Sequence, residues 1–210
     1  MKLSKYFLAA GALALLATSC DDVLEETPRG IYTPEYFKTE KGVMGGLTSQ
    51  YTHLRQIYST YFYAWLECGT DEYTYAQSAD NNFKDVDYTG VGQYNSTSSR
   101  SDNMWGAAFT NINTANGIIE NGEAANLDAA LIAEARFFRA FDYFQLVQIF
   151  GGVPLDLGSG ELKFNTSKSR TSVRNTVPEV YAAIFADLEK AVADLPEKPR
   201  KTGAVTKTTA

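Results

Sequence analysis

The sequence has one histidine, His53, and two cysteines, Cys20 and Cys68. So few imidazoles and thiols leave no Cys/His pair at metal-ligand spacing, and His53 anchors no recognisable Ser-His-Asp set. A Gly-rich phosphate loop is missing as well, so no catalytic, metal or cofactor residue is assigned. There is no basic run, and the formal charge is -6, which leaves no electrostatic footprint for nucleic acid. Nor does the most apolar internal stretch, Leu127 to Pro154, suit a membrane, because Glu134, Arg136, Arg139 and Asp142 fall inside it. What the chain does have is 44% apolar and 13% aromatic content, ample for a core of one or two domains. Its 13 tyrosines exceed what a core explains, since a buried tyrosine needs a partner for its hydroxyl.

At the start, Lys2 and Lys5 precede an apolar run from Tyr6 to Ala17, the pattern of a secretory signal peptide over residues 1–19. The segment LLATSC resembles a lipobox, in which the cysteine, here Cys20, becomes the acylated first residue of the mature chain. Removal of Lys2 and Lys5 takes the charge to -8. Cys68 is then left alone, and no disulfide is expected within the chain. Residues 20–41, polar and punctuated by Pro and Gly, read as a tether leading to a capped turn at Thr33-Pro34-Glu35.

Residues 42–210 read as all-α. An amphipathic helix is predicted over Gly42 to Tyr58 with Leu47, Tyr51, Leu54 and Tyr58 on its buried face. A second, over Asp102 to Glu120, carries Trp105, Ala108, Phe109, Ile112, Ala115 and Ile119 and stops near Asn121-Gly122. The third is the organising one. From Leu131 to Phe150 apolar residues recur at three- and four-residue steps and spill past one face, so other helices must surround it, with five phenylalanines as anchors. Gly151 and Gly152 supply a left-handed residue to close it, and Pro154 forbids continuation. A Thr176-x-x-Glu179 capping box opens the fourth, which Pro196 ends.

Tyr51, Leu54, Gln56, Ile57 and Tyr58 align without gaps on Tyr143, Leu146, Gln148, Ile149 and Phe150, and Trp105 to Ile119 align likewise on Tyr181 to Leu195. The chain therefore reads as two divergent helix pairs stacked as in a tetratricopeptide solenoid. Chance likeness between amphipathic helices is the competing reading. GAVTKTTA at the end carries no stop signal, and a closing helix is expected beyond Ala210. The pairs are interrupted by long connections, Ser59 to Ser101 and Gly151 to Asn175, of the length that usually serves function.

In order and spacing, CDDVLEETPRG, TPEYFKTEKGVMGGLTSQYTHLR, WGAAFTNINTANGIIEN, AEARFFRAFDYFQLVQIFGGVPL and SVRNTVPEVYAAIFADLEKAVADLP resemble the SusD/RagB family of Bacteroidetes outer-membrane lipoproteins. The resemblance implies a tetratricopeptide-like helical protein, lipid-anchored on the outside of the outer membrane. It implies a partner, a SusC-like TonB-dependent transporter, over which the protein sits as a lid, and an oligosaccharide ligand, or a peptide in some members, captured for import.

Ligand-binding candidates lie in the Ser59 to Ser101 insertion, where aromatics alternate with amides and carboxylates. Sugar rings stack a CH face on aromatics and pair their hydroxyl rim with polar groups. Tyr73, Tyr75, Asn81, Asn82, Tyr88 and Tyr94 are the candidates furthest from any helix, with Trp65 added. For Tyr61, Tyr63 and Trp65, spaced by two, packing and binding stand as equal readings. Asp71, Glu72, Asp80, Asp85 and Asp87 fit no EF-hand spacing and read as a solvated acidic loop. Three functions stay open: a glycan-binding lipoprotein feeding a transporter, a helical scaffold or peptide-binding lid that touches no sugar, and a glycoside hydrolase using Glu67 or Asp71.

Overall fold

The computed structural model describes residues 33–58, 67–68, 70–73, 99–155, 164 and 172–210. Thr33 and Pro34 open a single-turn helix, α1 (Pro34–Phe37), in which the N–H that proline lacks would have had no helical partner. The Thr39 side chain then caps α2 (Glu40–Ile57) by accepting from the Gly42 N–H at 3.1 Å. α3 (Ser99–Ala124), α4 (Ala129–Phe150) and α5 (Val177–Asp194) follow. Among the described residues the architecture is all-α, apart from one isolated bridge between Cys68 and Tyr73. The chain divides into two units, Met1–Ile31 and Tyr32–Ala210, and every described residue belongs to the second.

The helices form two tetratricopeptide-like pairs, α2 with α3 and α4 with α5. Along α3 and α4 the contacts Asn111–Asp142, Asn116–Arg139 and Glu123–Arg136 run in opposite senses, as an antiparallel packing requires. α4 is the shared element. Thirteen of its 22 residues are buried, and it contributes to each of the four apolar clusters. Of the five phenylalanines expected to anchor it, however, only Phe138 is wholly buried, while Phe144 is 40% exposed. The stripe is wider than the core it faces. Tyr143, Leu146 and Ala140 fill the interior instead, alongside charged residues that no apolar count anticipates.

α2 buries Leu47 as expected, but the rest of its inward face is shifted from the one expected. Val43, Leu47, Gln50, His53 and Ile57 are buried, whereas Tyr58 is 64% exposed and Tyr51 and Leu54 are half-buried. The cause is a wedge. Phe37 of α1 is fully buried between two glycines, where an added β-carbon on Gly46 or Gly117 would come within 2.8 or 2.6 Å of its ring. That close approach rotates α2 so that Gly46 meets Ile118 of α3.

α3 also continues past its expected stop to Ala124, and Asn126 at φ 52 makes the left-handed break. Asn121 is buried within the helix and donates to the Gly117 carbonyl at 3.0 Å, which removes it as a terminator. Gly151 does close α4, with φ 71 but ψ -134, a positive-φ extended conformation and not the helical left-handed one. At the head of α5, Glu179 Oε2 accepts from the Thr176 N–H at 2.7 Å and from its hydroxyl at 2.9 Å. These bonds hold the Glu179 carboxyl below its ordinary range. The cap is therefore present above the ordinary carboxylate pKa and is lost as pH falls through the depressed value. Urea midpoints of the wild type and Glu179→Gln should differ at neutral pH and converge on acidification.

Candidate binding site

The described part of the long insertion, Glu67–Cys68 and Thr70–Tyr73, is a small built turn. Thr70 donates its N–H and hydroxyl to the Glu67 carbonyl at 3.2 and 2.8 Å, and its hydroxyl oxygen receives the Tyr73 N–H at 3.3 Å. Cys68, buried, pins one side of the bridge, and Tyr73 is presented at its other side, half exposed. Of the sequence-derived ligand candidates, Tyr73 is thus the one whose placement is described. Trp65, Tyr75, Asn81, Asn82, Tyr88 and Tyr94 lie outside the described residues, as does Cys20. The glycosidase candidates Glu67 and Asp71 are half-buried and exposed respectively.

A second feature is one the sequence reading passed over. Between α2 and α3 lies an open groove of about 340 Å³. Ser49, Thr52 and His53 line it from α2, and Gly106, Ala107, Thr110, Asn111 and Thr114 from α3. Its floor is held from behind by Asp142 of α4, which is fully buried and accepts from His53 Nε2 at 3.0 Å and from Asn111 Nδ2 at 2.6 Å. Burial holds the Asp142 carboxyl above its ordinary range, and the His53 and Asn111 bonds pull the other way. The signal for this groove was the run of Ser, Thr and Asn at helical spacing on facing helices. Such residues are common on solvated faces, so periodicity alone does not raise them above background.

Gly106 stands in this wall with open space where a β-carbon would be, since among the described residues nothing lies within 4 Å of that position. A helix-interior glycine costs roughly 0.5–1 kcal/mol relative to alanine. Gly106→Ala should therefore raise the stability by about that amount, measurable as a higher urea midpoint with an unchanged slope.

Two charged clusters fix the frame around the groove. Asp187 of α5 receives Arg139 through Nε and Nη2 at 2.6 and 2.7 Å and Arg136 at 3.1 Å, while Arg139 also donates to Asn116 of α3 at 2.7 Å. Arg136 further pairs with Glu123. The expectation that Arg139 and Asp142 pair with each other or with neighbours resolves to separate neighbours, on α3 and α5 for Arg139 and on α2 and α3 for Asp142. At the other end, Tyr51 donates to Glu134 at 2.7 Å and receives the Val205 N–H at 2.8 Å, with Arg200 on the same carboxylate at 3.0 Å. Burial pushes the Tyr51 hydroxyl's pKa up, so it stays a donor. No described helix is long and apolar enough to cross a membrane.

This arrangement has close counterparts. A family model of SusD-like proteins, described as starch-binding and associating with the outer membrane, matches residues 44–210. SusD-like protein P38 of Formosa agariphila is 30% identical over 191 residues, spanning 90% of this chain and 37% of its own. SusD-like protein P2 of the same organism is 30% identical over 221 residues, spanning 99% of this chain and 41% of its own. The chain thus spans about two fifths of the length of the curated relatives it matches. A SusD homologue from Bacteroides thetaiotaomicron superposes with a TM-score of 0.64 at 25% identity, over 80% of this chain and 33% of that one. A SusD superfamily protein from Bacteroides vulgatus gives 0.63 at 25% identity, over 81% and 37%. With the family model matched over residues 44–210 and two curated members 30% identical over nine tenths or more of its length, the chain belongs to the SusD-like family.

Proposed function

We propose that the chain serves in a cell-surface glycan-binding lipoprotein, anchored in the outer membrane through acylated Cys20, that captures oligosaccharide and passes it to a SusC-like TonB-dependent transporter. The protein binds without turnover. The observation that carries this reading is Tyr73, half exposed on a turn built by Thr70 and pinned by buried Cys68, in an insertion where aromatics and amides interleave. A ring held that way offers a stacking face for a sugar without having to be ordered on binding. The family's description as starch-binding and associating with the outer membrane supports the same reading.

Calorimetry tests it. On an oligosaccharide that binds, Tyr73→Ala should weaken affinity about two- to ten-fold, the worth of one aromatic stacking contact, and Tyr88→Ala should do the same. Circular dichroism should be unchanged for both. Copurification with the transporter and no affinity for any glycan would favour the scaffold reading. Product release abolished by Glu67→Gln or Asp71→Asn would favour the hydrolase.

A further inference from the structure

The groove between α2 and α3 has a definite hydrogen-bonding polarity. Thr52, Thr110 and Thr114 each give their hydroxyl proton to a backbone carbonyl one turn back, at 2.9, 2.7 and 3.1 Å. Those carbonyls carry no proton to return, so each hydroxyl is left with oxygen lone pairs as its remaining capacity. Asn111 spends one amide proton on Asp142, which orients its nitrogen inward, and keeps its second amide proton and its carbonyl oxygen. Ser49, whose hydroxyl makes no hydrogen bond among the described residues, can likewise do either, so the three threonine oxygens tip the balance. The wall is therefore rich in acceptors and calls for a donor.

Charge decides which donor. A cation would lose water against a wall of neutral oxygens, since none of the lining residues carries a carboxylate and Asp142 is wholly buried behind the floor and occupied by His53 and Asn111. Neutral hydroxyls incur no such cost, and each can donate to a threonine oxygen. Gly106 and Ala107 add a small, flat apolar strip suited to the CH face of a ring. Gly106 gives up helix stability with nothing among the described residues approaching it, which is explained if its missing side chain leaves room for an occupant. About 340 Å³ lies at the lower end of the roughly 300–1,000 Å³ typical of small-molecule sites, room for one sugar ring and not for a chain.

We infer that this groove is a carbohydrate subsite in its own right, made by α2 and α3 alone and taking a single neutral sugar ring through hydroxyls that donate to Thr52, Thr110 and Thr114. It does not depend on Tyr73 or on the insertion.

The test is an NMR titration of the ¹⁵N-labelled chain with D-glucose, D-galactose and D-mannose at millimolar concentrations, with L-lysine as the cationic comparison. At least one sugar should shift the amides of Ser49, Thr52, Gly106 and Thr110 saturably, and lysine should not. Gly106→Phe fills the groove and should abolish those shifts. Thr110→Val, which keeps the shape and removes one acceptor, should weaken binding about five- to ten-fold while leaving the spectrum folded. Tyr73→Ala should leave the groove shifts unchanged. The inference is overturned if no sugar shifts these amides, if lysine binds more tightly than the sugars, or if the shifts survive Gly106→Phe and Thr110→Val. Loss of the shifts in Tyr73→Ala alone would overturn it too and assign the sugar to the insertion. A positive groove with no effect of Tyr73 or Tyr88 on any oligosaccharide would uphold the subsite and contradict the proposed capture site.

Discussion

Asp187→Ala should cost about 3–5 kcal/mol, the loss expected when one partner of a buried charge cluster is removed and the others stay. Asp187 is the joint acceptor of two guanidiniums whose side chains are 7% and 6% exposed, and its own is 5% exposed. Without it, Arg139 keeps only the Asn116 amide, and Arg136 keeps Glu123, which is half in solvent. Two positive charges then sit in the interior with one counter-charge, Glu123, in contact with Arg136 alone. For a domain whose whole stability is of order 5–15 kcal/mol, that is a substantial share. Urea unfolding measures it. The double variant Asp187→Leu with Arg139→Met, which removes charge of both signs, should recover much of the loss, because the penalty is uncompensated charge and not missing contact area.

Phe37→Ala is expected to cost a similar amount, about 3–5 kcal/mol, by opening a cavity where α1 is wedged against α2 and α3. Phe37 is wholly buried among Val43, Leu47, Ile118 and Ile119, with the Phe164 ring edge-on at 5.6 Å. The site is poor at collapsing, since Gly46 and Gly117, which flank the ring, have no side chains to move in. α1 is a single turn with Phe37 as its buried residue, so amide exchange in α1 and the first turns of α2 should accelerate with the fall in stability. Gly117→Ala is the converse test. Its β-carbon would lie 2.6 Å from the same ring, so overpacking should cost about 1–3 kcal/mol.

Much of the fold is legible in the sequence where a local rule operates alone. Thr176 and Glu179 announce the start of α5, and Pro196 its end, because capping and the missing N–H act within one turn. The dominance of α4 is legible from apolar residues spilling past a single face. The inward face of α2 is not. Its tyrosines carry the stronger apolar signal, and only the arrival of Phe37 from another element brings the glycine side inward. Asn121-Gly122 reads as a stop but is not one, because both residues are buried within the packed helix: a β-carbon added to Gly122 would lie 3.2 Å from the Ile132 side chain. The paired charges are half-legible. Arg139 and Asp142 stand out as charges in an apolar run, but their partners lie on three other helices, and sequence spacing holds no record of that. The groove is the clearest omission, since its polar residues look like an ordinary wet surface until two helices bring them face to face.

The central claim is that the protein captures glycan, and a glycan-array screen of the soluble protein beginning after Cys20 tests it most directly. Saturable binding to one class among plant, host and microbial oligosaccharides, without release of any product, is the result expected. A blank across all of them, with the helical spectrum intact, would contradict the account.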